Sequence, residues 1–384
     1  MQIDRQFDSE FGKAGMKIGQ QLRIRLPNDY TVRSGPSLKV QGTAEQSIAL
    51  AVATQKGVDL SFSSVDRTMS LEDYSERVLA PAINNLCGAI AADVMTGSEA
   101  TCNLVSRVDG SNNTLSPTAA EWLLAGAVLD NNSAPMGRRF VVDDPLTDAR
   151  TVSSLSGLFN PSTRITEQYQ SGAMRNALGF DWARDQTIIK HTAGSYDSAA
   201  TVSGANQTGT SITTGALNGT LKKGDIITLA GVNAVNRVTK VSTGQLRQFA
   251  VTADVASGAT SIPIYPALTP GAADYNANTG DGSVQYQTVT ASPANGAAVV
   301  LVQKASEVAR KNLVLAPEAV TFAMAELDLP KGVHEAARVT DDMISIRIIS
   351  DYIVATDDFV TRLDVLYGYV WVRPEWSCNV FDAI

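Results

Sequence analysis

The chain has 384 residues, a formal net charge of −8 and three cysteines, and 44% of its residues are hydrophobic. This hydrophobic content excludes a disordered chain, and the length predicts two or three domains. The acidic balance argues against sequence-specific nucleic-acid binding, which needs a basic surface to displace counterions from phosphates. Because only 18% of the residues are charged, much of the surface must be small and polar, which suits burial against other subunits.

The sequence indicates neither a membrane span nor a secretory signal. No stretch reaches the about 18 consecutive apolar residues of a span, and residues 1–5 lack a charged-then-apolar pattern. We therefore expect a protein of cytoplasmic origin. The spacing of Cys87, Cys102 and Cys378 matches no disulfide or metal framework, so we expect small buried side chains.

Residues 18–66 are predicted to form an extended hairpin with little core of its own. Leu22 and Ile24 alternate with Arg23 and Arg25, which is the period-two pattern of a half-buried strand. The same alternation continues in Ile48, Leu50 and Val52 and in Val58, Leu60 and Phe62. A two-stranded hairpin is marginal in water, so we expect this subunit or a neighbouring one to cover it.

A long helix is predicted over residues 71–96, with a kink at Pro81 or a second helical piece that begins there. An apolar stripe with i, i+4 spacing supports this helix: Val78, Ala82, Leu86 and Ile90. Further helices are predicted at 117–129 and 164–178, with a short strand at 138–142 between them.

Residues 192–300 are rich in small polar residues and contain short strands between turn residues, which predicts a small barrel or sandwich. Strands are predicted at 224–229 and 248–251, and Asn218-Gly219 is typical of a hairpin turn. Because mixed segments flank this region, we interpret it as an inserted domain.

The C-terminal stretch is predicted to mix helix and strand again. We expect a short helix at 317–327 and strands at 344–348 and 360–372. The last strand would place three aromatic residues on one face: Tyr367, Tyr369 and Trp371.

Few side chains are candidates for chemistry. No Gly-x-Ser-x-Gly motif accompanies His191 or His334, so both are expected to be surface or hydrogen-bonded structural residues. The acidic pairs are expected to be solvated turn residues or helix caps: Asp143-Asp144, Asp341-Asp342 and Asp357-Asp358.

One loop begins like a calcium site, with Asp274, Asn276 and Asn278 in alternate positions. Thr279 and Gln285 stand where such a loop has glycine and glutamate, so we interpret it as a polar loop. We therefore expect no catalytic residue, no cofactor and no metal site, and predict that the protein is not an enzyme.

Four groups of motifs follow one another along the chain: residues 18–27 with 30–33; 53–58 with 71–77 and 81–82; 223–236 with 246–254; and 329–333 through 364–368 to 373–375. In this order they resemble the major coat proteins of tailed double-stranded DNA phages of the P22-like podovirus type. Residues 97–190 contribute least to the resemblance.

The resemblance implies an α+β fold of the Hong Kong 97 capsid type, with an extended loop, a spine-helix peripheral domain, an axial domain and an inserted small β-barrel domain. The expected division is an N-terminal segment at 1–17 (a short or truncated arm), an extended loop at 18–66, a peripheral domain with the spine helix at 67–114, an axial domain at 115–190, the inserted β-barrel at 191–310, and completion of the axial domain with return to the peripheral domain at 311–384.

The resemblance also implies a major capsid protein that self-assembles in the host cytoplasm into the icosahedral shell of a virion. The expected partners are copies of itself in hexamers and pentamers, a scaffolding protein, a portal, decoration proteins and non-specifically packaged double-stranded DNA, and no membrane. We expect four cations of the extended loop to meet acidic groups on a neighbour: Arg23, Arg25, Arg33 and Lys39. The alternative is that they are solvated charges on an exposed strand face.

Two other classes of protein remain open from composition. A surface-array or adhesin-type protein would share the Thr, Ser, Gly and Ala content, but it should carry an export signal. A carbohydrate-active enzyme would need two carboxylates that flank a cleft, and no motif indicates such a pair.

Overall fold

The computed structural model of the chain describes residues 4–6, 21–27, 29–30, 32, 35–36, 38, 47–63, 78–155, 174–271, 286–341 and 344–384. Its helices are α1 (Ala80–Thr96), α2 (Ala119–Asn131) and α3 (Pro145–Ser154). Its strands are β1 (Asp4–Gln6), β2 (Gln21–Arg25), β3 (Ser47–Ala51), β4 (Thr54–Ser63), β5 (Leu104–Val105), β6 (Arg107–Val108), β7 (Thr114–Leu115), β8 (Phe140–Asp143), β9 (Asn176–Ala177), β10 (Phe180–Arg184), β11 (Lys190–Thr192), β12 (Gly209–Thr213), β13 (Ile226–Val235), β14 (Ser242–Val251), β15 (Ser261–Leu268), β16 (Val299–Leu301), β17 (Val308–Leu315), β18 (Val320–Ala325), β19 (Glu335–Asp341), β20 (Ile344–Ile353), β21 (Asp358–Trp371) and β22 (Ser377–Ala383).

The three helices begin where local chemistry favours a helix start. Pro81 lies in the first turn of α1, where its missing N–H costs no hydrogen bond, so a helical piece that begins near this proline is confirmed. The rest of the helix predicted at 71–96 includes residues 71–77, which lie outside the described residues. The Glu121 carboxylate accepts a 2.7 Å hydrogen bond from the Thr118 backbone N–H at the start of α2. Asp144 caps α3 by accepting from the Leu146 N–H at 3.0 Å.

Two sheets form the main body. The six-stranded sheet has the order β1-β18-β21-β20-β19, and β4 pairs with β21 over ten residues. The seven-stranded sheet has the order β5-β22-β17-β8-β10-β9, and β11 pairs with β17. Helix α1 buries Leu86 and Val94 in a core shared by both sheets, whereas α2 buries Trp122 and Leu129 against the seven-stranded sheet.

The five-stranded sheet lies between β11 and β17 in the chain and has the order β12-β15-β14-β13-β16. Two isolated bridges join its edge strands through residues 201 and 202. Thr201 pairs with Ala298, just before β16, and Val202 pairs with Thr214, just after β12. Among the described residues, its core runs from Tyr196 to Leu301 and includes none from outside this segment. The segment therefore has a hydrophobic core of its own.

The ribbon, defined as β2, β3 and the described residues between them, is an antiparallel pair with Leu22 opposite Leu50. Leu50 and Val52 are buried against Ala323 of β18 and Leu366 of β21. The prediction that a hairpin with little core of its own is covered by this subunit or a neighbouring one is therefore confirmed at its base, where its own subunit covers it. Strand β4, which was predicted as part of the same hairpin, instead pairs with β21.

Three local predictions are wrong. Residues 317–327 are a 3₁₀ turn followed by β18, because a short run of buried apolar residues has no helical period that would distinguish it from a central strand. Residues 174–178 are β9 and turn rather than helix, and the rest of the helix predicted at 164–178 lies outside the described residues. Asn218-Gly219 forms a bend whose neighbours pair with Tyr196 and Asp197 instead of forming a hairpin.

The base of the ribbon lies close to the body at Gly368 of β21. A methyl group on Gly368 would overlap the carbonyl oxygen of Ala51. We expect Gly368→Ala to lower the free energy of unfolding by roughly 1–3 kcal/mol, the usual cost of overpacking, measured by urea denaturation.

Gly88→Ala is the matched control, because Gly88 lies inside α1 with open space where a Cβ atom would stand. Alanine at this position should raise the free energy of unfolding by roughly 0.5–1 kcal/mol. A wild-type midpoint for Gly368→Ala would contradict the close approach of the two strands.

Candidate subunit interface

The two faces of the ribbon differ in chemistry. Leu22 and Ile24 pack against the core at its base, whereas Arg23 and Arg25 alternate with them and are exposed. The alternation follows from the pleat of the strand, which sends successive side chains to opposite faces. The structure therefore places two of the four predicted contact cations on one exposed face, and Arg33 and Lys39 lie outside the described residues.

Beyond β2, the described part of the ribbon carries large apolar side chains that are open to solvent. The exposed fractions are 58% for Tyr30, 94% for Val32 and 81% for Leu38. We call these three residues the ribbon tip. Three large exposed apolar side chains on one segment make it a candidate for a protein–protein contact.

Further apolar side chains are exposed at separate places on the six-stranded sheet. Val339 of β19 is 66% exposed, and Val354, which follows β20, is 81% exposed. Ile344 and Ile353 at the two ends of β20 are also exposed. This sheet and the ribbon thus each present apolar surface that the subunit itself leaves uncovered.

A buried polar junction connects the five-stranded sheet to the seven-stranded sheet. Asp225, just before β13, accepts hydrogen bonds from the Gly194 and Lys222 backbone N–H groups at 3.0 and 2.8 Å. His191 of β11 places Nε2 2.7 Å from the same carboxylate, and both side chains are buried. The expectation of a hydrogen-bonded structural histidine is therefore confirmed for His191.

Lys311 of β17 lies fully buried beside this junction. Its Nζ has no hydrogen-bond partner among the described residues. Burial lowers the pKa of Lys311 to about 8, although Glu99 and Asp225 favour the charged form. Burial of a charged amine without a hydrogen-bond partner lowers the free energy of unfolding. The neutral form of Lys311 avoids the part of this cost that comes from its charge.

Helix α3 packs on the seven-stranded sheet through polar side chains. Thr147 donates to Asp382 at 2.7 Å, Arg150 donates to the same carboxylate at 3.0 Å, and Arg184 lies 2.6 Å from Asp148. Its buried residues are Thr147, Asp148 and Thr151. The helix is therefore held by hydrogen bonds and ion pairs rather than by an apolar stripe.

Asp143 at the end of β8 is a buried carboxyl group that the sequence did not predict. It is fully buried, and neither carboxylate oxygen has a hydrogen-bond partner among the described residues. Burial raises its pKa to about 8, the Asp148 carboxylate adds to this effect, and Arg184 opposes it. The prediction of a solvated turn or cap holds for Asp144 but is wrong for Asp143.

The remaining sequence expectations have mixed outcomes. Cys102 and Cys378 are buried as predicted, and burial raises the pKa of Cys102 to about 11, but Cys87 is exposed on α1. His334 is exposed and meets the Phe359 ring edge-on at 5.6 Å. Asp357 is an exposed turn residue, as predicted.

The calcium-like loop at 274–285 and Asp342 lie outside the described residues. In the part of the chain that the structure describes, no group of three or more His, Cys, Asp or Glu side chains could hold a metal ion. Over the same residues, every helix is too short or too polar to cross a membrane.

Comparison with known proteins gives one family match. Residues 208–381 match the family described as P22 coat protein, gene protein 5. No curated protein matches the sequence. Among solved structures, the CUS-3 coat protein I-domain is 30% identical over 28% of this chain and 97% of that one, with a TM-score of 0.22.

Two whole capsid structures align over nearly the full chain. The capsid structure of cyanophage P-SCSP1u covers 99% of this chain and 86% of that one, at 10% identity and a TM-score of 0.48. The capsid of Ralstonia phage GP4 covers 98% and 86%, at 7% identity and a TM-score of 0.46.

The family match covers residues 208–381, which is less than half of the chain, and over this stretch the chain is similar to the P22 coat protein. The class of protein is therefore a phage coat protein, built here from a mixture of α-helices and β-sheets. It is a major capsid protein of the phage shell. Its location is the capsid of the virion, where it associates with copies of itself.

The buried Asp143 predicts a particular pH dependence of stability. In the folded protein it keeps its proton up to about pH 8, whereas an unfolded aspartate loses its proton near pH 4. Between these values the unfolded state binds fewer protons, so the free energy of unfolding falls as pH rises. We expect Asp143→Asn to flatten this fall between about pH 4.5 and about 7.5 in urea denaturation.

The control is Asp351→Asn, because this aspartate is exposed on β20 of the six-stranded sheet and is not among the charges that shift the pKa of Asp143. This control should keep the wild-type slope, and subtraction of the two curves removes contributions from other groups. A wild-type slope in Asp143→Asn would show that Asp143 is ionised in the folded state.

Proposed function

We propose that the protein builds a closed icosahedral shell from hexamers and pentamers of itself around double-stranded DNA, and that it catalyses no reaction. The match of residues 208–381 to the P22 coat protein family is the observation that carries this proposal. The exposed cationic face and apolar tip of the ribbon support it, because a shell subunit needs surfaces that only its neighbours complete. Each contact can be weak, since a subunit makes several at once.

We propose that Arg23 and Arg25, together with Arg33 and Lys39, meet acidic groups on a neighbouring subunit. A neighbouring copy of the chain can provide such acidic groups, because each copy has 39 acidic residues and only 31 basic residues. Complementary charges at an interface mainly fix register and accelerate association.

The double variant Arg23→Glu/Arg25→Glu tests this pairing. It should remain a soluble, folded subunit but form no closed shells in electron micrographs, because like charges would then face each other. Arg23→Lys/Arg25→Lys is the matched control and should assemble, since it keeps both positive charges. Normal shells from the glutamate variant would refute the pairing.

We further propose that residues 191–310 are an inserted domain that stabilises the subunit during folding and adds contacts between neighbouring capsomers. The separate core around the five-stranded sheet and the buried junction at Asp225 support the first part.

Phe249 is fully buried in that core, so Phe249→Ala should destabilise it by roughly 3–5 kcal/mol. We expect a lower yield of soluble subunits and of shells, measured by sedimentation. Val300→Ala, at an exposed position of the same sheet, should leave both yields unchanged. Wild-type yields from Phe249→Ala would argue against a folding role for this region.

We propose that the net charge of −8 helps packaged DNA to slide past the inner wall without sticking. Assembly in the host cytoplasm with a scaffolding protein, a portal and decoration proteins completes the proposal. A map of the assembled shell with a strongly positive inner surface would contradict the role assigned to the acidic charge.

A further inference from the structure

A single arginine joins three distant parts of the chain. Arg237, in the turn between β13 and β14, donates from Nε to Asp29 Oδ2 of the ribbon at 2.9 Å, and its Nη2 lies 2.9 Å from the same oxygen. Its Nη1 donates to Glu375 Oε1, between β21 and β22, at 3.1 Å. The three side chains are each about one-fifth exposed, so water screens these contacts only in part.

Glu375 is held in place independently of the ribbon. Tyr265 of β15 donates to Glu375 Oε2 at 2.7 Å, and burial keeps the pKa of this phenol well above its usual value, so it remains a donor. The Arg373 guanidinium lies 3.6 Å from Glu375 and covers the Trp376 ring at 4.8 Å from its centroid. Arg237 therefore projects from a fixed site, and Asp29 is its contact with the ribbon.

The position of Asp29 gives this contact a consequence for the ribbon. The base of the ribbon is held by Leu50 in the apolar core, and Asp29 directly precedes Tyr30, the first residue of the exposed tip. Two fixed points along a chain determine its direction, so the contact with Arg237 decides where the tip points.

We propose that Arg237 is a positioning residue for assembly: by holding Asp29, it directs the ribbon tip toward a second copy of the chain. This inference rests on the proposed shell function. Arginine suits the task because its planar guanidinium can hold two carboxylates in fixed directions, which a lysine ammonium does not do.

The experiment compares Arg237→Gln, Asp29→Asn and the double variant with the wild-type protein. Shell formation is followed by light scattering and electron microscopy, and subunit unfolding by urea denaturation. Each single variant should reduce the yield of closed shells about tenfold or more, as expected for loss of a charged hydrogen bond. The double variant should be no worse than Arg237→Gln alone, because Arg237→Gln already removes the contact that Asp29→Asn removes.

Lys222→Gln/Asp254→Asn is the control, because this exposed 3.2 Å ion pair belongs to the same five-stranded unit but does not touch the ribbon. It should assemble like the wild-type protein. Wild-type assembly by Asp29→Asn, additive defects in the double variant, or a defect explained by unfolding of the subunit would each overturn the role of Arg237. If the wild-type protein forms no shells, the proposed function itself fails.

Discussion

The ribbon of β2 and β3 has one apolar face, and the rest of the architecture depends on how that face is covered. Two strands that pair only with each other are not stable in water. Here the base is covered by the subunit itself, since Leu50 and Val52 are buried against β18 and β21. The opposite face keeps Arg23 and Arg25 exposed, and the tip keeps its apolar residues exposed. One element is thus ordered by its own chain at one end and left for a neighbour at the other.

The remainder of the subunit is several cores joined by buried polar contacts. The five-stranded sheet has its own apolar core, and Asp225, His191 and Lys311 lie where it meets the main body. Helix α3 is likewise held by Asp148 and Asp382 rather than by apolar packing. Such contacts fix the orientation of one unit relative to another. Burial lowers the pKa of Lys311 and raises that of Asp148, so stability depends on pH through these two groups. Orientation matters more than usual in a shell, where every small error is repeated around a closed surface.

The sequence predicts those elements whose residues show a regular hydrophobic period or a residue typical of a helix start. The alternation of Leu22 with Arg23 predicted the two faces of the ribbon, and Pro81 predicted where α1 begins. The helix predicted at 317–327 failed, because the six buried residues of β18 show neither helical nor strand periodicity. Local patterns also placed Cys87 inside, where the structure exposes it.

Long-range contacts were beyond prediction from one sequence. Arg237 is 208 residues from Asp29 and 138 residues from Glu375, and nothing near any of the three indicates the others. From sequence, Asp143 and Asp144 are both predicted to be turn or cap residues. In the fold, Asp143 is buried in the interior, whereas Asp144 caps α3. The family resemblance supplied what the local patterns could not, namely that the ribbon belongs to a protein that forms a shell.

The central claim is that the outer face of the ribbon is completed by another copy of the chain. Hydrogen–deuterium exchange, compared between the isolated subunit and assembled particles, tests this claim most directly. In the isolated subunit, peptides that cover β3 should already be protected, whereas peptides that contain the ribbon tip should exchange more slowly in particles than in the isolated subunit. Equal exchange of the ribbon tip in both states would contradict the account.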